Sequence, residues 1–84
     1  MTNQKMTMAV FLLKDTAYNL AVEINIYKPY GWHAAEILYS PTYKGWYVSY
    51  LREDETFWGV MNEEYDELLF YIKILKEKAV SKIH

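Results

Sequence analysis

The chain has 84 residues, of which 52% are hydrophobic and 18% aromatic, and it contains no cysteine. This composition excludes a disordered chain, and the length predicts one small domain over 1–84 whose core supplies all the stabilisation. The formal net charge of −2 disfavours a protein that coats nucleic acid through a strongly basic face. Because nothing points to an oxidising compartment, we expect a cytoplasmic protein.

Residues 6–52 predict a four-stranded antiparallel sheet, preceded by a flexible tail over 1–5. The run over 6–14 is apolar on both alternating faces, as in a buried strand. A turn is expected next, and then a strand over 20–27, in which apolar and polar residues alternate. That alternation predicts a strand with one solvated face.

Two Gly-Trp pairs, at positions 31 and 45, mark the starts of the last two predicted strands. These strands are expected over 32–39 and 46–52, each after a segment that contains a proline. Proline and glycine punctuate turns, and we expect Gly45 to take a positive φ just before its strand begins.

Residues 62–83 predict one long helix, after a connection over 53–61. Asn62 is placed to cap the helix, acids fill its first turns and lysines its later turns, which complements the helix dipole. Apolar residues recur at helical spacing on the side that must meet the sheet. The predicted fold is therefore α+β, with four antiparallel strands followed by one C-terminal helix on one face.

One helix cannot cover such a sheet, because strands lie about 4.8 Å apart and a helix is about 10 Å wide. Aromatic side chains therefore stay partly exposed in either register of the last two strands. Tyr and Trp bury much area at low entropic cost when a partner covers them. The predicted anchors for a partner are Trp32, Trp46, Tyr47 and Tyr50.

Residues 53–67 hold seven acids and no base, whereas the 52 residues before them hold five bases and three acids. Acids at a helix start are ordinary solvated partners of the helix dipole. The acids that precede the helix lack that explanation, and together with the helix acids they could form a patch that steers towards a basic surface. The predicted patch comprises Glu53, Asp54, Glu55, Trp58, Glu63 and Glu64.

Phe70 and Ile74 lie one turn apart, on the side of the predicted helix that faces away from its apolar stripe. Exposed apolar residues that lie together often mark an association surface, so this pair is a candidate dimer contact. The alternative is that Phe70 packs against the connection before the helix.

The sequence offers little for catalysis. The histidines are His33, within a predicted strand, and His84, and no nucleophile, phosphate-loop or metalloprotease motif is present. The acids around residue 54 do not follow the spacing of a calcium loop. We expect a protein that is not an enzyme and that uses neither a cofactor nor a metal.

The segments "GWYVSYLRE" (45–53) and "GVMNEEYDELL" (59–69) resemble the last strand and helix start of the coactivator-type, Whirly-like single-stranded-DNA binders. The resemblance implies four strands and a helix, binding through Arg52 and the strand aromatics, and dimerisation through Phe70 and Ile74. The chain departs from that family because it lacks the basic glycine-rich run before the helix and has few bases on the sheet.

The sequence thus favours a small, non-catalytic protein-binding module. It could be an acidic inhibitor, of the kind that phages and mobile elements carry, of a basic nucleic-acid-processing partner. The alternative is a single-stranded nucleic-acid-binding protein that uses an aromatic sheet face and is a dimer. A homodimer whose aromatic surface meets itself is a third possibility.

Overall fold

The computed structural model describes residues 6–81, which form two helices and an antiparallel three-stranded sheet. In chain order the elements are α1 (Lys14–Tyr27), a 3₁₀ turn (Pro29–Gly31), β1 (His33–Ser40), β2 (Gly45–Leu51), β3 (Phe57–Gly59) and α2 (Asn62–Ser81). The sheet order is β1-β2-β3. The tail predicted over 1–5 and the helix end predicted at 83 lie outside the described residues.

The region over 14–27 is a helix, so the turn and the strand over 20–27 that the sequence predicted are wrong. The alternation across 22–26 spans too few residues to separate a strand from a helix. The buried positions decide the matter, since they follow the helical spacing i, i+3, i+4 and i+7: Ala17, Leu20, Ala21 and Ile24. These side chains are covered only when the segment is helical.

The stop signal of α1 is present in the sequence. Lys28 adopts a left-handed conformation, with φ of 48°, and its N–H donates a 2.8 Å hydrogen bond to the carbonyl of Ile24. Pro29 follows and cannot continue the helix. A left-handed residue followed by proline is a common helix C-terminus.

The segment before α1 is extended but is not a strand of the sheet. Phe11 and Trp46 exchange both backbone hydrogen bonds, each 2.7 Å long, whereas Ala9 donates to the carbonyl of Val60. The segment thus passes from the end of β3 to the start of β2 and makes only isolated bridges to each. The described residues contain three strands where four were predicted, with a helix in place of the second.

Gly45 is required for the close approach of this segment. A Cβ atom at Gly45 would lie 2.4 Å from Cγ1 of Val10 and 2.9 Å from the carbonyl oxygen of Phe11. The positive φ that was predicted for Gly45 instead belongs to Lys44, with φ of 54°. The first residue of β2 is therefore a glycine for reasons of space and not of backbone conformation.

The two faces of the sheet differ in their cover. Val48 and Tyr50 are fully buried beneath the helices, and Ile37 lies directly opposite Val48 on that helix-covered face. Leu38 pairs with Tyr47 on the other face, which we call the open face. Within the described part of the chain no helix lies on the open face.

Both helices contribute to the core, although the sequence predicted that one C-terminal helix would cover the sheet. Helix α1 lies across β1 and β2, and α2 packs beside α1 and the 3₁₀ turn. Leu68 and Ile72 of α2 are buried in the same core as α1. Lys76 of α2 and Glu23 of α1 form an ion pair across the helices.

Two alanine substitutions distinguish a helix from a strand over 20–27. A strand places Ile24 and Ile26 on the same face, whereas the helix buries Ile24 completely and leaves Ile26 62% exposed. We expect Ile24→Ala to lower the free energy of unfolding by about 2–5 kcal/mol and Ile26→Ala by less than about 0.5 kcal/mol. Urea denaturation measures both, and equal losses would contradict the helix.

Candidate functional site

A groove lies between the first turns of α2 and the turn that precedes β1. Its volume is about 330 Å³, and its walls are formed by Tyr30, Trp32, Arg52, Glu64 and Glu67. Aromatic rings, one guanidinium and two carboxylates thus meet within a single concave surface. Pockets that combine apolar walls with a few convergent polar groups are the usual sites of binding.

Trp32, which lines the groove, stacks on a second aromatic ring beneath it. The Trp32 and Tyr50 rings lie 3.8 Å apart at an angle of 16°, and Tyr50 is fully buried. Tyr30 continues the aromatic surface, with its ring centroid 5.1 Å from Trp32 and 4.7 Å from Tyr71 of α2. These contacts fix the 3₁₀ turn against both the sheet and α2.

The chain can place Trp32 there because it turns sharply at Tyr30 and Gly31, with φ of 55° and 80°. A Cβ atom at Gly31 would lie 2.2 Å from Oε1 of Glu53. Both the backbone conformation and the available space therefore require glycine at this position. The Glu53 side chain closes over this turn.

Arg52 lies among the rings. Its guanidinium carbon is 4.0 Å from the Trp58 ring centroid and 6.0 Å from those of Trp32 and Tyr50, and Nη2 donates a 3.3 Å hydrogen bond to the Tyr50 hydroxyl. Nε is buried and, within residues 6–81, has no hydrogen-bond partner. The cation is held by ring faces and not by a carboxylate.

The position of Trp58 is set by a chain of hydrogen bonds. Its indole Nε1–H donates to Oγ1 of Thr56 at 2.7 Å, and that hydroxyl donates to Oδ1 of Asp54 at 2.6 Å. The side-chain and backbone hydrogen bonds from Thr56 lower the pKa of Asp54. Asp54, predicted to steer a partner, thus orients the ring that lies against Arg52.

Two further predicted steering acids make internal contacts. The Glu63 carboxylate accepts hydrogen bonds from the N–H and the hydroxyl of Thr7, at 2.7 and 2.9 Å. Glu64 accepts a hydrogen bond from the backbone N–H of Met61, as in one half of a capping box. Asn62, predicted to cap α2, instead donates its side-chain amide to Thr7 and Met8.

Glu64 and Glu67 place two negative charges in the groove, which Arg52 also lines with one positive charge. Burial raises the pKa of the Tyr30 hydroxyl, and the charge of Glu67, the neighbouring Tyr71 and the charge of Glu64 raise it further. The first turns of α2 place the two acids on one face, since residues three apart are neighbours on a helix. The rings of Tyr30 and Trp32 thus face two carboxylates across the groove.

The structure brings four of the predicted partner-binding residues together around Arg52: Trp32, Tyr50, Trp58 and Glu64. Trp32 and Tyr50 are buried in the core, so the prediction that they are exposed anchors for a partner is wrong. Sequence reasoning missed Tyr30, Glu67 and Tyr71. The spacing of Glu64 and Glu67 could have indicated a common helix face, but no local signal tells which tyrosines of nine lie beside it.

The remaining predicted residues lie outside the groove. Trp46 is at the far end of β2, where it contacts Tyr39 and Lys14, and Tyr47 is on the open face. Glu55 is exposed, with its carboxylate 3.9 Å from Nε2 of His33. The ten predicted residues therefore do not form one continuous surface.

The candidate dimer contact on α2 has one exposed member. Phe70 is 63% exposed, so it does not pack closely against the connection before the helix, and Ile74 is half-buried. That these two residues join two copies stays a prediction.

Over residues 6–81, no cluster of three or more His, Asp or Glu side chains is arranged to hold a metal ion. No helix in that range is long and apolar enough to cross a membrane.

Comparison of the chain with protein-family models, curated proteins and solved structures finds no match in any of the three. The function must therefore be argued from the geometry of the groove.

The contact between Glu63 and Thr7 predicts a pH dependence of stability. The backbone hydrogen bond from Thr7 lowers the pKa of Glu63 below its ordinary value of 4.5. The contact therefore stabilises the folded chain above pH 4.5, and that contribution is lost as the pH falls through the folded pKa. We expect Glu63→Gln to lower the melting temperature at pH 7 and to lower it progressively less towards pH 3.

Glu77→Gln is the matched control, because Glu77 is an exposed acid farther along α2. Circular-dichroism melts of the three proteins across this pH range measure the effect. A difference between wild type and Glu63→Gln that is the same at every pH would contradict the contact.

The pKa of Tyr30 reports the electrostatic potential in the groove. Because the charge of Glu67 helps to raise the pKa of Tyr30, Glu67→Gln should lower that pKa. Asp66→Asn removes the same charge from the next position, outside the groove, and should leave it nearly unchanged. Titration of ¹³C-labelled tyrosine by NMR measures both, and equal shifts would show that Glu67 has no special place near Tyr30.

Proposed function

We propose that this protein is a non-catalytic module that binds a basic segment of another protein in the groove between α2 and the turn before β1. The observation that carries the proposal is that two carboxylates, Glu64 and Glu67, line the groove beside the Tyr30 ring and outnumber its one cation, Arg52. A lysine or arginine side chain could lay its aliphatic stem or its guanidinium on the exposed ring of Tyr30, which packs against the buried Trp32, and direct its charge to the carboxylates.

The charge of the surroundings supports this proposal. Residues 53–67 carry seven acids and no base, and the groove is lined partly by this segment. Such a field raises the rate of encounter with a positively charged partner. An acidic module of this kind could occupy the basic surface of a nucleic-acid-processing protein and inhibit it, as phage and mobile-element inhibitors do.

Single-stranded nucleic-acid binding is the alternative, and the groove favours it less. The exposed rings of Tyr30 and Trp58 could stack bases, but Arg52 is already enclosed by Trp32, Tyr50 and Trp58. Glu64 and Glu67 would face the phosphates and repel them. A location in the cytoplasm fits both functions, and we propose it because the chain has no cysteine.

The proposal can be tested with a short peptide of alternating lysine and arginine, titrated by calorimetry against wild type, Glu67→Gln and Asp66→Asn. We expect Glu67→Gln to weaken binding by roughly twofold to fivefold, the usual range for one exposed charge pair, and Asp66→Asn to weaken it less. The two variants lose the same formal charge. A difference in their peptide affinities therefore reflects the position of Glu67 in the groove and not the net charge of the protein.

Equal effects of the two substitutions would overturn the groove as the site. An oligothymidylate of similar length is titrated in parallel, at low salt. Binding of the oligonucleotide without binding of the peptide would overturn the proposal in favour of the nucleic-acid alternative.

A further inference from the structure

Within residues 6–81, no strand pairs with the outer edge of β1. The backbone groups of Trp46 face the N-terminal segment, because Trp46 exchanges its hydrogen bonds with Phe11. The direction of the backbone N–H and C=O groups alternates from one residue of a strand to the next. Those of Tyr47, which lies opposite Leu38, therefore point towards β1. The N–H and C=O groups of Ile37 and Tyr39 therefore face outwards, away from the sheet.

The free edge has a definite length. Asn25 of α1 closes it on one side, because its side chain accepts a 2.7 Å hydrogen bond from the N–H of Ala35 and donates a 3.0 Å hydrogen bond to the carbonyl of Ala35. Pro41, which has no N–H, ends it on the other side. Among the described residues, this leaves Ile37 and Tyr39 as the outward-facing positions of β1 that can both donate and accept.

We infer that this edge joins two copies of the chain, with β1 pairing antiparallel to β1 of a second copy about a two-fold axis at Leu38. In this register Ile37 lies opposite Tyr39 of the second copy, and Tyr39 opposite its Ile37. Each pair exchanges two hydrogen bonds, roughly four in all. Ala35, whose N–H and carbonyl are already bonded to Asn25, falls opposite Pro41, so the pairing ends at this position and leaves no backbone donor without a partner.

The side chains fit the same register. Glu36 falls opposite Ser40 of the second copy, so no like charges oppose each other, and Leu38 meets Leu38 at the axis. The pairing would cover Leu38 and Tyr39, which are 39% and 50% exposed. Lysine and proline, which commonly guard a free edge, are absent from β1.

A second groove runs along this edge between α1 and β1. It has a volume of about 360 Å³, and Tyr18, Val22 and Ile37 are among the side chains that line it. Tyr39 of the second copy would lie beside Ile37 on this face of the sheet. The groove leaves room for that ring, so the contact extends beyond the backbone hydrogen bonds.

The interface is separate from the basic-segment groove, and the two can be tested independently. We expect light scattering with size-exclusion chromatography to give the mass of two chains for wild type, across a series from low micromolar to near-millimolar concentration. A monomer at every concentration would overturn the inference, whatever else binds at the edge.

Two lysine substitutions locate the contact. Leu38→Lys places two like charges at the axis and should raise the dimer dissociation constant at least about tenfold. Phe57→Lys makes a similar change on the same open face, at the other side of the sheet, and should leave the dimer intact. A dimer that survives Leu38→Lys but is lost in Phe70→Lys would place the contact on α2 and overturn the inference.

A cysteine at position 38 tests the register without relying on destabilisation. The pair at the axis is not hydrogen-bonded, so its Cα atoms lie about 4.5 Å apart, within disulfide range. The chain has no other cysteine. We expect Leu38→Cys to oxidise to a covalent dimer much faster than Phe57→Cys, and equal rates would contradict the axis at Leu38.

Discussion

The arrangement of this protein depends on the burial of Tyr50 in the middle strand. Its ring stacks on Trp32 and its hydroxyl accepts a hydrogen bond from Arg52, so one residue of β2 joins the turn before β1 to the cation beside β3. Burial raises the pKa of Tyr50 more than the hydrogen bond from Arg52 lowers it. The hydroxyl therefore stays neutral, and Trp32, which lines the groove, packs on a fully buried ring.

The acids of residues 53–67 have different roles, which depend on where each lies relative to the stacked rings of Trp32 and Tyr50. Asp54 and Glu63 bind hydrogen-bond donors of their own chain and hold Trp58 and the N-terminal segment. Glu67 makes no such contact among the described residues, and it shares the groove with Glu64. Glu64 also accepts a hydrogen bond from its own chain, at Met61, so within residues 6–81 Glu67 is the groove acid without such a bond.

Parts of this fold could be predicted from sequence because their signals are local. The Gly-Trp start of β2 after a proline-containing turn and the acid-to-lysine order of α2 each identify the element within one segment. Helix α1 could not be distinguished from a strand over 20–27, because the alternation of apolar and polar residues there fits both elements. The burial of Ile24 in the core is what identifies the helix. The groove joins residues far apart in the chain, so its tyrosines could not be predicted.

The central claim is that the groove binds a basic segment of a partner protein. An NMR titration of ¹⁵N-labelled protein with the alternating lysine-arginine peptide tests it most directly, because the N–H signals of residues throughout the chain are followed at once. The account predicts that the largest shifts occur at Tyr30, Trp32, Arg52 and Glu67, including the indole N–H of Trp32. Largest shifts on the open face, around Tyr47, or no shifts at saturating peptide, would contradict it.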